Sequence, residues 1–356
     1  MYDEFYYSHR AAKLWTAAYR ITGDRSDSDS AVDGAWDRFR DMDDESRGRI
    51  PALDYLLAAE MARKCRGSVA GAAKDSGWPP EGVEIRWLPD PILGTLPRPV
   101  VGKSEPVVSW LPEAMVDALD EPRGRATIKR KVVRDEGVRM AAMVAQHDLP
   151  LAERVAFVLV DVCELPCTEV AGVLGCSPAM AEQYVSTARR RLAEADPLPR
   201  VKLSEQHRIL QSFMSTARTG DVRAVAAKLD PDVVIVRHSD VVREPRPGGG
   251  LSPYEHPAPA SGVDSAAGFS LGLAAVYDPE ALIAAGPVFV NDDGGYLATG
   301  LSLVNGDLGL VAPGRAGGHR SEVTNVGRVT TFAFRDGRIA AIYDTTAGNN
   351  LYSVLR

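Results

Sequence analysis

Between Leu149 and Ala195 the chain reads LPLAERVAFVLVDVCELPCTEVAGVLGCSPAMAEQYVSTARRRLAEA, and few stretches leave a fold so little freedom. Val155, Phe157, Val158, Leu159 and Val162 fall on the inward side of a first helix. Thr168 can cap a second helix, which turns Val170, Ala171 and Leu174 inward. Gly175 and Cys176 make a tight turn. Ser177 then caps a third helix, with Pro178 at its first position, where a missing N–H costs nothing. Val185, Ala188 and Leu192 recur along its inner stripe. Helix, glycine turn and capped helix is a helix-turn-helix pattern, and the third helix is the one offered to a DNA major groove. On that helix Gln183 and Ser186 can reach base edges, Arg189, Arg190 and Arg191 can reach phosphates, and Thr187 joins the DNA-binding set. The competing reading of Arg189–Arg191 is a solvated helix end that complements the dipole.

Upstream, Leu14, Ala18 and Ile21, then Ala31, Val32, Ala35, Trp36 and Phe39, recur at helical spacing. Gly23 and the Asp/Ser run over 24–30 are expected to break these two helices. A third follows from Pro51, carrying Leu53, Leu56, Leu57 and Met61. Residues 1–75 therefore read as one helical domain. Prolines crowd the stretch 76–129, which reads as an extended linker. A helix over 130–147 then opens a second helical domain, 130–195.

Residues 204–356 change character. Ile209, Leu210, Phe213 and Met214 mark one helix, 221–229 a shorter one and 263–276 another. DVVIV at 232–236 is a β-branched strand, and 239–262 is an irregular stretch rich in Pro, Gly and Ser. Strand-like runs follow at 287–291, 295–304, 328–335 and 338–344. Asn305-Gly306 and Asp336-Gly337 are hairpin dipeptides. This order suits a cone-shaped α+β domain that encloses a pocket.

Several segments resemble the extracytoplasmic-function RNA polymerase sigma factors. Phe5–Phe39 is similar to their region two, and LPLAERVAFVLVDV, EVAGVLGCSPAMAEQ and ARRRL to their region four. RWLPDPIL (86–93) resembles a short motif after region two in a subgroup that carries a C-terminal SnoaL-like domain, and 204–356 resembles such a domain. The resemblance implies a multidomain fold: two all-α sigma-like domains, the second with the helix-turn-helix, and an α+β cone. It implies core RNA polymerase and promoter DNA as partners. Asp29, Asp33 and Trp36 would grip polymerase, and Arg63, Lys64 and Arg66 would join the DNA-binding set. Ser30 and Asp33 depart from the acidic pair and Gln usual there, and Gly34 interrupts that helix at about 1 kcal/mol relative to Ala. Glu182 stands where the family often has a basic residue.

Composition bounds these readings. A chain of 356 residues holds two or three domains. The formal net charge of -7 argues mildly against an extensive nucleic-acid surface, though a local patch is what matters. Cys65, Cys163, Cys167 and Cys176 have no metal-ligand spacing, so reduced core thiols are expected, with no metal and no cofactor. No signal core and no apolar run of about 20 residues stands out, which predicts a cytoplasmic protein away from membranes.

Two functions stay open from sequence. One is a transcription initiation factor controlled by its own C-terminal domain. The other is a sigma-like chain repurposed for small-molecule biosynthesis, a cyclase or isomerase using acid–base chemistry in the C-terminal pocket. That second reading expects a small apolar ligand or substrate, with Asp344, His238, Tyr296, His319 and Tyr343 as candidate catalytic or ligand residues. Asp344 would face the pocket with a raised pKa; the competing reading is a strand-end carboxylate in water.

Overall fold

The computed structural model describes residues 4–43, 57–67, 88–94, 136–195, 197–239, 260–277, 288–289, 296–297, 300–313 and 326–346. The chain divides into two compact units, Met1–Glu81 with Ala126–Pro197, and Gly82–Arg125 with Leu198–Arg356.

The first unit is helical. It holds α1 (Glu4–Thr22), α2 (Arg25–Asp41), α3 (57–67), a 3-10 turn (Glu136–Val138), α4 (Met140–His147), α5 (Leu151–Asp161), α6 (Cys167–Leu174) and α7 (Pro178–Ala195). The Asp/Ser run does not break the helix as expected. The interruption is confined to Gly23, at φ 69°, and the extended Asp24, and α2 starts at Arg25. Asp24 caps it by accepting from the Asp27 N–H at 2.7 Å, and Asp27 adds a carboxylate to the first turn, where the helix dipole favours one. Short polar side chains that compete with a helix interior support a helix start. The expected start at Pro51 lies outside the described residues, as does 130–135.

The two helical stretches meet across α1, α4 and α5, and Arg20 is the centre of that junction. Its side chain is 4% exposed. Nε donates to Gln146 Oε1 at 2.8 Å, Nη1 donates to Asp161 Oδ2 at 2.8 Å, and the guanidinium lies 5.5 Å from the Phe157 ring centre. Gly137 makes the room: a Cβ there would stand 2.3 Å from Arg20 Cζ. Gln146 Nε2 donates in turn to the Gly137 and Ala142 carbonyls, so the side chain that receives Arg20 is itself fixed.

The second unit packs α8 (Leu203–Arg218), α9 (Val222–Ala226) and α10 (Val263–Val276) with a seven-stranded sheet. Its strands are β1 (Leu93–Gly94), β2 (Leu229–Ser239), β3 (Ala260–Ser261), β6 (Gly300–Val304), β7 (Asp307–Pro313), β8 (Val326–Arg335) and β9 (Arg338–Thr346). Their spatial order is β1-β6-β7-β8-β9-β2-β3, antiparallel except for the β2–β9 pair. A separate two-stranded ladder joins β4 (Val288–Phe289) to β5 (Tyr296–Leu297). Both hairpin dipeptides act as read. Asn305 and Gly306 have φ of 50° and 82°, Asp336 and Gly337 51° and 73°, the two positive values that such two-residue turns need.

Strand β7 had no expectation behind it. Gly309 sits in its middle and weakens the β pattern, yet a Cβ there would meet the Thr330 carbonyl oxygen at 2.9 Å. The linker reading also needs correction. Leu88, Pro89, Pro91 and Ile92 are buried, and Leu93 pairs with Val304 at the sheet edge. Ile92 N–H donates to Asn305 Oδ1 at 2.7 Å, and Asn305 N–H returns a bond to the Ile92 carbonyl at 2.9 Å. A proline-rich segment cannot supply a long ladder, but two residues free of proline suffice for an edge.

On the helical side of the sheet, Gln206 of α8 reaches into the same hairpin. It donates to Asp307 Oδ1 at 2.7 Å and accepts from the Leu308 N–H at 2.7 Å. Phe213 meets Phe332 edge-on at 6.1 Å, and Tyr277 Oη donates to the Leu310 carbonyl at 3.1 Å.

Arg20→Ala strands Gln146 and Asp161 and is expected to destabilise the first unit by about 2–4 kcal/mol, read as a lower denaturant midpoint of the helical signal. Asn305→Ala removes both a turn residue suited to positive φ and the acceptor for Ile92. A loss of about 1–3 kcal/mol is expected, with faster amide exchange at Ile92.

Candidate nucleic-acid and polymerase interface

Four local devices place the recognition helix. Helix α5 buries Val155, Ala156, Val158 and Leu159; α6 buries Val170, Ala171 and Val173. Helix α6 begins at Cys167, after Pro166, and Thr168 is exposed, so Thr168 is not its cap. A proline preceding the first turn fixes the extended backbone that the capping residue was expected to provide. Gly175 closes α6 in the left-handed region at φ 67°. Ser177 Oγ accepts from the Met180 N–H at 3.2 Å, and Pro178 opens α7.

Helix α7 buries Ala181, Val185 and Ala188, at steps of four and three. Its other faces expose Glu182, Gln183, Ser186, Arg189, Arg190 and Arg191, with Thr187 half-buried. Gln183, Ser186, Thr187 and Arg190 therefore share the side away from the core. Two of the arginines have carboxylate partners. Arg190 Nη1 lies 3.6 Å from Glu194 Oε1 on the same helix, and Arg191 Nη1 lies 3.5 Å from Glu153 Oε2 of α5. Leu192, expected inside, is half-buried.

The basic residues of α3 are placed differently. Arg63 pairs with buried Glu60, which also receives Arg38 at 3.3 Å. Lys64 lies across Gly34 of α2, where a Cβ would fall 1.5 Å from its Nζ. Gly34 thus provides a passage for a lysine stem, and its helix-weakening effect has a packing reason. Arg66 is half-buried. Arg63 and Lys64 are exposed at the surface, but each is engaged within the helical unit.

On α2 the three polymerase candidates separate. Asp29 accepts from the Trp15 indole N–H at 2.7 Å and so braces α1. Partial burial pushes its carboxyl above the ordinary range, against the lowering effect of that hydrogen bond. Asp33 and Trp36 come together with Asp37 and Arg40 around a cleft of about 390 Å³. Asp37 and Arg40 are ion-paired, and neither was singled out from sequence. Positions 33, 36, 37 and 40 recur at steps of three and four, so helical periodicity was the available signal.

In the second unit Asp344 is 1% exposed, neither in water nor open to a ligand. Its Oδ1 accepts from Arg328 Nε at 2.7 Å and Thr330 Oγ1 at 2.7 Å; its Oδ2 accepts from Arg328 Nη2 at 2.9 Å and Arg237 Nε at 3.2 Å. Four bonds occupy the carboxylate's acceptor positions, which corrects the expectation of a proton-exchanging group at a pocket wall. The Phe269 ring lies 5.1 Å from the Arg237 guanidinium and 5.6 Å from that of Arg328. Burial lowers the Arg237 pKa, Asp344 opposes that shift and Arg328 reinforces it. Arg237 and Arg328 were missed by sequence reading, although a charged residue alternating with apolar ones along a strand was a visible sign.

The other pocket candidates do not gather around Asp344. Tyr343 is buried, and as its neighbour in β9 it belongs to the opposite face of the sheet. His238 stands in register with Thr345, one row beyond the Arg237–Asp344 pair. Tyr296 belongs to the separate β4–β5 ladder, and His319 lies outside the described residues. Cys65 and Cys163 are buried, Cys167 and Cys176 half-buried, and none of the four forms a disulfide; burial pushes the Cys65 thiol up to about 12.

A capped helix packed on two others after a left-handed glycine turn is a helix-turn-helix geometry, and residues 144–192 match the family described as Sigma-70, region 4. The similarity extends along nearly the whole chain. The ECF RNA polymerase sigma factor SigJ of Mycobacterium tuberculosis is 29% identical over 337 residues, covering 93% of this chain and 87% of that protein. The probable ECF RNA polymerase sigma factor SigI of the same organism is 26% identical over 207 residues, covering 57% and 68%. The crystal structure of the M. tuberculosis extracytoplasmic function sigma factor SigJ superposes with a TM-score of 0.62 at 25% identity, covering 97% and 96%. This chain is thus similar to extracytoplasmic-function sigma factors along most of its length, and to sigma-70 region 4 over residues 144–192. Among the described residues, no helix is long and apolar enough to cross a membrane.

Within the matched region, burial and the adjacent Arg154 hold His147 well below its ordinary pKa, against a hydrogen bond with the Arg20 backbone. The folded chain therefore keeps His147 neutral where the unfolded chain, titrating near 6.5, takes up a proton. Stability from this residue is complete above that pH and declines as pH falls below it. His147→Gln is expected to reduce the slope of unfolding free energy against pH in that window by up to about 1.4 kcal/mol per unit, measured by denaturant titration.

Proposed function

We infer that this chain is a sigma factor: it joins core RNA polymerase and directs it to a promoter. The observation that carries the reading is the outward line Gln183, Ser186, Thr187 and Arg190 on a capped helix whose buried stripe fixes that line away from the core. Full-length similarity to SigJ supports the same activity. Such a protein acts in the cytoplasm, where promoters are. Gln183 and Ser186 suit base edges, and Arg190 suits a phosphate beside them. The α2 cleft, with Asp33, Asp37 and the largely buried Trp36 around it, offers core polymerase an acidic surface. Of the acids expected there, Asp33 belongs to this surface and Asp29 braces α1.

The C-terminal unit controls the initiation activity in this reading. Support comes from the segment 88–94, which links the two helical stretches in sequence and is held as an edge strand of that unit by Asn305. A connector bound in this way has less freedom to extend when the two promoter-contacting regions engage DNA. The Asp344 cluster supports a structural role for its face of the sheet, since the carboxylate is fully engaged.

Run-off transcription with purified core polymerase on genomic fragments tests the reading; a chain that neither co-purifies with core nor initiates would end it. Arg190→Ala is expected to weaken DNA binding on all sequences and to flatten log Kobs against log salt by about 0.9. Glu194→Gln should tighten non-specific binding, because it releases Arg190 from its partner 3.6 Å away.

A further inference from the structure

We propose that Glu153 is a positioning residue of the recognition helix, which holds Arg191 off the DNA backbone and leaves Arg189 and Arg190 as its phosphate contacts. The proposal rests on the reading that α7 meets DNA.

Three consecutive arginines on a helix point in three directions, 100° apart. With Ala181, Val185 and Ala188 buried, Arg190 lies opposite the core, and Arg189 and Arg191 flank it on either side. The flanks are not equivalent. Arg189 is exposed and has no ion partner among the described residues. Arg191 reaches back to α5, its Nη1 3.5 Å from Glu153 Oε2.

The strength of this tether comes from the carboxylate's surroundings. The Glu153 side chain is 11% exposed, against 46% for Arg191. Its Oε2 is buried and accepts no hydrogen bond among the described residues, so the Arg191 charge compensates it. A buried carboxylate deprived of its cation is strongly disfavoured. If Arg191 swung out to a phosphate, it would leave Glu153 in that condition. Arg190 is held less firmly: its partner Glu194 is 64% exposed and loses little when the arginine turns to DNA. The recognition helix is therefore electrostatically one-sided, with a free cation on one flank and a neutralised pair on the other.

The test uses the full chain and a labelled DNA duplex of arbitrary sequence, with binding followed by anisotropy across a salt series. Each phosphate contact contributes about 0.9 to the slope of log Kobs against log salt. Arg191→Gln should leave the wild-type slope unchanged, and Arg189→Gln should flatten it by about 0.9. Glu153→Gln should steepen it by about 0.9, as Arg191 becomes available. The double variant Glu153→Gln/Arg191→Gln should return to the wild-type slope. Glu153→Met, which removes the buried charge and keeps the side-chain length, provides a second release of Arg191 if the glutamine variant folds poorly. Equal flattening by Arg191→Gln and Arg189→Gln would overturn the proposal while leaving the sigma-factor reading in place. So would an unchanged slope in both Glu153 variants. A wild-type chain without salt-dependent DNA binding would overturn both.

Discussion

The Arg20 guanidinium is the constraint on which the helical unit depends. It is removed from water, so every direction in which it can donate needs a partner, and those partners come from residues more than a hundred positions later. Gln146 and Asp161 meet that need, and Phe157 lies along the guanidinium face. A hydrophobic junction would tolerate many small rotations of α1 against α5. A charged group with directional bonds tolerates few, which makes this contact a determinant of geometry more than of net stability. Gly137 belongs to the same constraint, because any side chain there would occupy the space of the guanidinium.

The sheet unit uses the same kind of determinant. Asp344 draws Arg328, Arg237 and Thr330 to one point, and these residues come from three strands adjacent in the sheet. Gln206 and Asn305 both act at the turn of one hairpin, Gln206 joining it to α8 and Asn305 joining it to the segment 88–94. Apolar burial supplies the bulk of the cohesion in both units, and these few polar clusters decide which segment sits beside which.

Local patterns in the chain carry much of this. The recognition helix was legible to its cap, because Ser177, Pro178 and Gly175 each act through their own backbone and immediate neighbours. Both hairpin turns and α10 were legible for the same reason. What escaped was anything decided by distant partners. Strand β7 was hidden because Gly309 is there for a neighbour's carbonyl, which no local window contains. Asp344 was legible only as a candidate, pocket-facing or in water, and its place is settled by Arg237, a residue 107 positions away. In the same way Arg191 looks like its neighbours Arg189 and Arg190 until Glu153 is seen beside it. The Asp/Ser run misled for a different reason: residues that end one helix and residues that begin the next are of the same types, and only the dihedral angles tell them apart.

The parallel pairing of β2 with β9 has a consequence for the order in which the protein can be made. Residues 229–239 are synthesised about a hundred positions before 338–346, yet these strands are direct neighbours in the sheet. Until the later strand leaves the ribosome, β2 has an unpaired edge and the Arg237 side chain lacks its carboxylate. The segment at 93–94 waits almost as long for β6. The helical unit, by contrast, is complete once residue 197 has emerged. Translation therefore produces a finished helical body well before its sheet companion, and the connector between the helical stretches is captured only when β6 has been made, ahead of the β2–β9 pairing.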